Sequence, residues 1–208
     1  MTQLETKLEI IDGSMPSTDR NRDAFNSQRG RVVWLTGLSG AGKSTLATAL
    51  ATALHAQGRR CFVLDGDQLR LGLSSDLGFS NADRAENMRR TAEVSKLMMD
   101  AGLLVVTALI SPFQHERELA RSIIGQENFI EVYINTPLAV CELRDVKDLY
   151  RKARAGLIDN FTGISSAYEV PATPDLTVSG SDGTLADSAA QVLIALDRTD
   201  ALERKPYP

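Results

Sequence analysis

The hydrophobic positions of the chain fall into five short runs separated by longer stretches of helix-forming residues. These runs predict strands at 31–36, 61–64, 103–110, 129–134 and 176–178. The third run is continuous rather than alternating, which is typical of a strand that is buried on both faces. Strands that alternate with helices predict an α/β fold, in which a mostly parallel sheet of five strands carries helices on both faces.

The stretches between the runs carry helix start and stop signals. Predicted helices occupy about 43–57, 80–101, 115–124 and 184–197, with another that opens at Pro137. Ser80 fits an N-cap, and Asp83 takes the third helical position, as in a capping box. Gly58 and Gly102 supply the C-terminal stops of the first two helices.

Three segments lie outside this pattern. Residues 1–29 are polar without a sustained period, and we expect a flexible N-terminal extension ahead of a single domain at 30–208. Residues 142–164 are polar, basic and interrupted by two glycines, so they do not resemble core, and we expect a mobile basic lid. The tail beyond residue 197 is expected to be loose.

Composition limits the partners of the protein. With 208 residues, 43% of them hydrophobic, the chain can bury one full α/β core. The formal net charge of −4 predicts neither a nucleic acid nor a membrane partner, so any anion site must be local. Two cysteines without a C-x-x-C pattern, and the lack of a long apolar stretch or a signal peptide, predict a reducing, cytoplasmic location.

The segment that follows the first strand carries the clearest chemistry. It matches G-x-x-x-x-G-K-[ST] and has the strand before it and the helix after it that this motif requires. Its backbone N–H groups and the start of the helix form an anion cradle, with Lys43 placed for the β- and γ-phosphates and Ser44 for Mg²⁺. The alternative is a glycine turn that binds nothing. The predicted nucleotide-binding residues are Gly37, Leu38, Ser39, Gly40, Ala41, Gly42, Lys43, Ser44 and Thr45.

Polar residues also follow the next two strands. Asp65 and Asp67 straddle a glycine, and with an extended backbone both carboxylates could point to one side of the strand end. One of them could then hold a water of the metal ion and the other could accept a proton. A solvated Asp-Gly-Asp turn is the alternative. Ser111 ends the third strand and would lie at the same edge of the sheet.

Basic and aromatic residues complete the candidate chemistry. A helical stripe of Arg84, Asn87 and Arg90 could bind anions, although charged helix faces are commonly only solvated. Phe79 and Phe161 lie in predicted loops, where they could stack on a planar base or simply anchor those loops to the core. The predicted lid carries a basic run that comprises Arg144, Lys147, Arg151, Lys152 and Arg154.

Taken together, these motifs resemble the adenosine-5′-phosphosulfate (APS) kinase family of P-loop kinases over roughly residues 29–178. The resemblance is carried by GLSGAGKST at 37–45, DGDQLR at 65–70, DLGFSNADRAENMRR at 76–90, ISPF at 110–113, FIEVYINTPLAVCELRD at 129–145 and KARAGLIDNFTGISSAYE at 152–169. It implies transfer of the ATP γ-phosphoryl group to the 3′-hydroxyl of APS with Mg²⁺, which gives 3′-phospho-APS (PAPS) and ADP during sulfate activation. Members are usually homodimers, and some associate with an ATP sulfurylase.

The resemblance also implies residue roles. Asp67 would be the base for the 3′-hydroxyl, Lys43 a catalytic cation, and Asp65 would support the metal through water beside Ser44. Ser111 matches a position that the family describes as a phosphoserine, although direct in-line transfer needs no covalent intermediate. The implied APS-binding residues are Asp67, Arg70, Phe79, Arg84, Asn87, Ile110, Ser111, Lys152, Phe161, Gly163 and Ile164, with the two phenylalanines on either side of the adenine.

The sequence departs from the usual family pattern at three positions. Gln68, Leu71 and Asp148 stand where Asn, His and Gly are common. A nucleotide-dependent switch is an alternative class, but the chain lacks the Asp-x-x-Gly and Asn-Lys-x-Asp sequences of GTPases. A kinase of the same fold that acts on another nucleotide-like acceptor is the nearer alternative, and substrate dependence would distinguish it.

Overall fold

The structure, a computed structural model, describes residues 28–203, with side chains through 198. Most of the predicted N-terminal extension, residues 1–27, and the end of the tail, residues 204–208, lie outside the described residues. At the start of the described part, the side-chain amide of Gln28 donates to the carbonyl oxygens of Arg60 and Gly102 at 2.7 Å each. Gln28 therefore contacts the domain directly.

Five strands and seven α-helices make up the described part of the chain. The strands are β1 (Arg31–Thr36), β2 (Cys61–Asp65), β3 (Leu104–Ala108), β4 (Phe129–Asn135) and β5 (Leu176–Ser179). The helices are α1 (Lys43–Ala56), α2 (Gly66–Leu71), α3 (Asn81–Asp100), α4 (Gln114–Ile124), α5 (Leu138–Arg144), α6 (Leu149–Arg154) and α7 (Leu185–Glu203), with a 3₁₀ turn at Gln126–Asn128.

The sheet has the order β2-β3-β1-β4-β5, and every pairing between its strands is parallel. The central strand β1 pairs Val33 with Val106 of β3 and with Ile130 of β4. All three side chains are buried, as expected for strands covered on both faces. The α/β fold with a five-stranded parallel sheet is confirmed.

Helices cover both faces of the sheet, and side-chain alternation along β1 separates two apolar layers. On one face Val33 packs with Leu50 of α1 and Val192 of α7. On the other face Trp34 packs in one cluster with Met88 of α3 and Ile124 of α4. Each layer buries one stripe of its helices, so the three-layer arrangement follows from the period of two in the strands and of 3.6 in the helices.

The predicted element bounds agree with the structure to within a few residues at most ends. Ser80 caps α3 as predicted, since its hydroxyl accepts from the backbone N–H of Asp83 at 3.2 Å. Two helices were not predicted, α2 in an expected loop and α6 within the expected lid, and α7 continues to Glu203 instead of ending near residue 197. The six-residue helices α2 and α6 are too short for hydrophobic periodicity to reveal them.

The prediction that residues 142–164 contain no core is wrong. Tyr150, Ala153 and Phe161 are at most 8% exposed and belong to the main apolar cluster. Tyr150 packs edge-on against Phe161 with a centroid distance of 5.0 Å, and its hydroxyl donates to the carbonyl of Ser39 at 2.9 Å. Single aromatic residues among charged neighbours barely change the average polarity of a segment, so composition did not reveal that these residues belong to the core.

Within residues 28–203, none of the helices is long and apolar enough to cross a membrane.

Candidate active site

A cavity of about 1140 Å³ lies at the carboxyl ends of β1, β2, β3 and β5. Parallel α/β sheets bind ligands at this edge, because the loops that follow the strands meet there. The cavity collects charged side chains from five separate segments of the chain. They are Lys43, Asp65, Asp67, Arg70, Arg84, Arg144, Asp145, Lys147 and Asp159.

Residues 39–45 of the predicted phosphate loop line this cavity. Gly40 and Gly42 have φ angles of 74° and 108°, which glycine adopts without strain. The ammonium of Lys43 donates to the carbonyl oxygens of Gly37 and Leu38 at 2.9 and 2.7 Å. Burial of this ammonium lowers the pKa of Lys43 to about 8. The loop thus encloses a buried cation close to the N-terminus of α1.

Asp65 and Asp67 both line the cavity, but they stand at the start of α2 rather than on an extended turn. One carboxylate oxygen of Asp65 caps α2 by accepting from the N–H of Asp67 at 3.0 Å. The other oxygen accepts from the hydroxyl of Ser44 at 2.5 Å. The carboxylate of Asp67 forms an ion pair with Lys147 of the predicted lid.

The oxygens of Ser44 and Asp65 fit a magnesium ion that is shared with phosphate. Mg²⁺ prefers hard oxygen ligands and is commonly held by one or two protein groups together with substrate phosphates. In the part of the chain that the structure describes, no cluster of three or more His, Cys, Asp or Glu residues would hold a metal by itself. The donor set therefore suits an ion that arrives with a nucleotide.

Phe79 and Arg70 form one wall of the cavity. The guanidinium of Arg70 lies 4.4 Å from the centroid of the Phe79 ring and donates to the carbonyl of Gly78 at 2.7 Å. The Phe79 ring is nevertheless 65% exposed. Arg70 therefore covers one face of the ring, while much of its remaining surface is available for stacking.

Arg84 of α3 connects this wall to the predicted lid, residues 142–164. It donates to the carbonyls of Phe79 and Asn160 at 3.0 and 2.7 Å, and to the hydroxyl of Thr162 at 2.8 Å. One turn further along α3, Asn87 is 4% exposed, and its side-chain oxygen has no hydrogen-bond partner among the described residues. An acceptor without a partner at a cavity wall suits a ligand that donates a hydrogen bond.

Arg90, the third residue of the predicted anion-binding stripe, does not line the cavity. It forms ion pairs with Asp76 and Glu86 at 2.6 and 2.9 Å on the surface of the domain. Those two carboxylates satisfy its guanidinium, so the stripe contributes two residues to the cavity instead of three.

Ser111 lies at the cavity edge, but its side chain turns inward. The residue is 2% exposed and has a φ of 41°, an uncommon value for a residue with a side chain. Its hydroxyl accepts from the indole N–H of Trp34 at 3.2 Å. The neighbouring Ile110 also lines the cavity, and its carbonyl accepts from the hydroxyl of Thr36 at 2.8 Å.

The remaining predicted site residues are divided between two places. Phe161 lines the main cavity although it is only 7% exposed. Gly163, Ile164 and Leu38 instead line a separate, shallower pocket of about 590 Å³. Lys152 is exposed and lines neither of these two pockets. Gly37 also lines neither pocket. The structure therefore brings residues 39–45 of the phosphate loop together with both aspartates, Arg70, Phe79, Arg84, Asn87, Ile110, Ser111 and Phe161. Five predicted site residues do not line this cavity: Gly37, Leu38, Lys152, Gly163 and Ile164.

Asp148 occupies a backbone position that favours glycine. Its φ and ψ of 60° and 21° are left-handed, which costs a residue with a Cβ about 1–2 kcal/mol. A glycine at this position would adopt the same angles without strain.

Arg144 and the β5–α7 connection contribute to the cavity but were not among the predicted site residues. Arg144, expected in the lid, joins the phosphate loop to the β5–α7 connection by donating to Gly40 O at 3.2 Å and to Gly180 O at 2.6 Å. The β5–α7 connection lies so close to Thr136, which follows β4, that a Cβ on Gly180 would overlap the Thr136 hydroxyl. The turn-forming sequence Ser-Gly-Ser-Asp-Gly after the last strand was the available signal for this wall.

A parallel α/β sheet with a lysine-bearing phosphate loop after its central strand, and two aspartates at the carboxyl end of β2, defines a P-loop kinase. The sequence model of the adenylylsulphate kinase family matches residues 29–179. The chain belongs to the adenylylsulphate kinase family.

Individual relatives agree with this assignment. An adenylyl-sulfate kinase of Pseudomonas aeruginosa is 57% identical over 166 residues, which cover 80% of this chain and 85% of the relative. One from Citrobacter koseri is 53% identical over 185 residues, covering 89% and 92%. The structure of the Mycobacterium tuberculosis APS kinase CysC in complex with AMPPNP and APS matches with a TM-score of 0.79 and 48% identity, over 82% of this chain and 99% of the other.

Proposed function

We propose that this protein is an ATP-dependent adenylyl-sulfate kinase, which transfers the γ-phosphoryl group of ATP to the 3′-hydroxyl of APS and yields PAPS and ADP. The observation that carries the proposal is that residues 39–45 of the phosphate loop, Asp65 and Asp67, and the wall formed by Phe79 with Arg70 and Arg84 all line one cavity. Phosphoryl transfer requires donor and acceptor to be held in line within a single site.

On the donor side, Lys43 would pair with the β- and γ-phosphates, and the loop N–H groups would cradle them. Ser44, with Asp65 acting through water, would hold the magnesium ion, which neutralises charge on the phosphate oxygens when bound. Asp65 already orients the hydroxyl of Ser44 through their hydrogen bond. Arg144 would stabilise the adjoining β5–α7 wall against the phosphate loop.

On the acceptor side, Asp67 would orient the 3′-hydroxyl of APS and accept its proton. Asn87 would accept a hydrogen bond from the sugar through its side-chain oxygen, which is otherwise without a partner. Phe79 and Phe161 would enclose the adenine, while Arg70 and Arg84 would contribute positive charge near the phosphosulfate. Roles for Lys152, Gly163 and Ile164 would require the lid, residues 142–164, to move toward the cavity.

The test is to incubate the purified protein with Mg-ATP and APS and to resolve the nucleotide products. We expect PAPS and ADP in equal amounts, and only when APS is present. Matched reactions with AMP or without an acceptor serve as controls. ADP without PAPS, or phosphorylation of another acceptor, would contradict the acceptor assignment while leaving the phosphate loop in place.

Three further expectations from the family resemblance remain predictions. The first is a homodimer, which analytical ultracentrifugation would detect. The second is association with an ATP sulfurylase, which co-purification with that enzyme would detect. The third is a cytoplasmic location, which fractionation of the source cells would test.

A further inference from the structure

Glu169, which follows the lid in sequence, is joined to the turn after β3, residues 110–114. Its backbone N–H donates to the carbonyl of Pro112 at 2.8 Å, and its carbonyl accepts from the guanidinium of Arg117 at 2.9 Å. Its carboxylate accepts from the N–H of Gln114, the first residue of α4, at 2.7 Å. The residue just before α4 provides no side-chain cap, so Glu169 caps this helix from 55 positions away.

Buried groups strengthen the contact between residues 168–169 and the turn at 110–114, which we call the junction. Arg117 is 2% exposed, donates to the carbonyl of Ser111 at 2.7 Å and pairs with Glu131 of β4 at 2.8 Å. The hydroxyl of Tyr168 lies 2.9 Å from that of Thr36, which donates to another carbonyl of the same turn. Glu169 therefore contacts the turn directly, and Tyr168 contacts Thr36, which is itself hydrogen-bonded to the turn.

The segment just before the junction is closed on itself. The carbonyl of Phe161 accepts from the N–H groups of Ser165 and Ser166 at 3.0 and 3.1 Å, and the N–H of Gly163 donates to Ser166 O at 2.8 Å. Because this compact loop ends two residues before Tyr168, the junction constrains Phe161 together with the packing of Phe161 against Tyr150 and the hydrogen bonds from Arg84 to Asn160 and Thr162. The cavity wall that Phe161 and Thr162 supply is thus tied to the wall formed by the turn.

We propose that Glu169 is a positioning residue for the acceptor, because it holds the end of the lid in register with the turn that carries Ile110 and Ser111. This inference rests on the proposed function. Without the carboxylate, fewer molecules would have both walls in the binding arrangement, and the apparent affinity for the acceptor falls in proportion to that fraction. The described contacts of Glu169 do not include the phosphate loop, so the affinity for ATP should not change.

The test compares variants of the full chain in steady-state assays. Replacing Glu169 with Ala should raise the KM for APS about fivefold, the factor that corresponds to one capping hydrogen bond, and leave the KM for ATP unchanged. Glu169→Gln should restore most of the APS affinity, because its amide oxygen still accepts from Gln114. The matched control is Glu118→Ala on the same helix, where Glu118 accepts only from the side chain of Gln114 among the described contacts. It should leave both KM values unchanged.

Hydrogen exchange provides a readout that does not depend on turnover. In Glu169→Ala, exchange should accelerate at residues 110–114 and 161–166 together, and in Glu118→Ala at neither segment. A KM for APS that is unchanged in Glu169→Ala, or faster exchange at the turn alone, would overturn the positioning role. Absence of APS-dependent turnover in the unmodified protein would instead overturn the proposed function, and the exchange result would still decide whether Glu169 joins the two walls.

Discussion

At the scale of single residues, Lys43 links burial to phosphate binding. Its pKa of about 8 reflects the loss of hydration around the ammonium. A bound triphosphate places negative charge next to this group and must raise the pKa again. At pH values above about 8, where Lys43 of the free enzyme has lost its proton, binding of ATP should therefore be accompanied by proton uptake at Lys43. Below about pH 7, where Lys43 is already protonated, binding should take up no proton.

Calorimetry of ATP binding in buffers of different ionisation enthalpy would measure this uptake. Lys43→Met should abolish the uptake, weaken ATP binding and lower kcat by orders of magnitude. Lys96→Met, which changes a partly exposed lysine on α3, is the control and should behave like the unmodified protein. Proton uptake that persists in Lys43→Met would assign the titration to another group.

Ser111 can be separated from catalysis because its hydroxyl is engaged with the buried Trp34. Ser111→Ala should keep most of the activity and lose about 1–3 kcal/mol of unfolding free energy, because the indole N–H would be left without an acceptor. Steady-state assays and thermal denaturation would measure the two effects. Ser122→Ala on the exposed face of α4 should change neither. Loss of activity with intact folding and ATP binding would instead support a phosphoserine.

At the scale of elements, the predicted lid consists of parts with different roles. Its root, with Tyr150 and Phe161, belongs to the core, and its Lys147 reaches Asp67 in the cavity. Lys152, only five residues later, lies on α6 and points to neither described pocket. Lys147 precedes α6, whereas Lys152 lies within it, so the fold places the two lysines in different surroundings.

The two lysines therefore predict different kinetic effects. Lys147→Ala should lower kcat/KM for APS roughly tenfold, since a charged contact at the reacting end of the cavity is lost. Lys152→Ala in the same lid should stay within about twofold, as is usual for an exposed substitution. Steady-state kinetics with both variants would decide, and the reverse order of effects would show that Lys152 reaches the substrate when the lid moves.

At the scale of the whole molecule, the balance of charge at the cavity is opposite in sign to that of the whole chain. The chain carries a net charge of −4, whereas the charged residues at the cavity include five basic and four acidic side chains. Two of those acids, Asp65 and Asp67, stand beside the expected metal and acceptor hydroxyl. Anionic substrates must therefore be attracted by local charge over short distances, which salt screens within about 10 Å at 0.1 M.

Raising potassium chloride at constant free magnesium should increase the KM for both ATP and APS several-fold, with a smaller effect on kcat. Diffusional encounter and exposed charge contacts weaken with ionic strength, whereas closely packed contacts in a closed site are screened less. Steady-state kinetics across a salt series would measure the trend. KM values that do not change with salt would mean that buried contacts alone supply the binding energy.

Much of the fold could be predicted from the sequence, because the responsible interactions are local or periodic. The apolar runs that form β1 to β5, the Ser80 cap of α3 and the strand–loop–helix around Lys43 depend on neighbours along the chain. The chemistry of the phosphate loop is equally local, since the groups that would bind phosphate are backbone N–H groups within one turn. The two short helices were missed because six residues hold less than two turns of periodicity.

Tertiary structure alone decided which distant residues share the cavity. Lys147 was placed at Asp67, Arg90 was withdrawn into surface ion pairs, and Glu169 was joined to the start of α4. A side chain of either charge can be solvated, paired or bound to a ligand, and its own sequence neighbourhood does not distinguish these outcomes. The sequence by itself determined the class of fold and the phosphate site. The proposed acceptor side of the cavity depends instead on contacts between distant segments, which only the packing of the sheet and helices brings together.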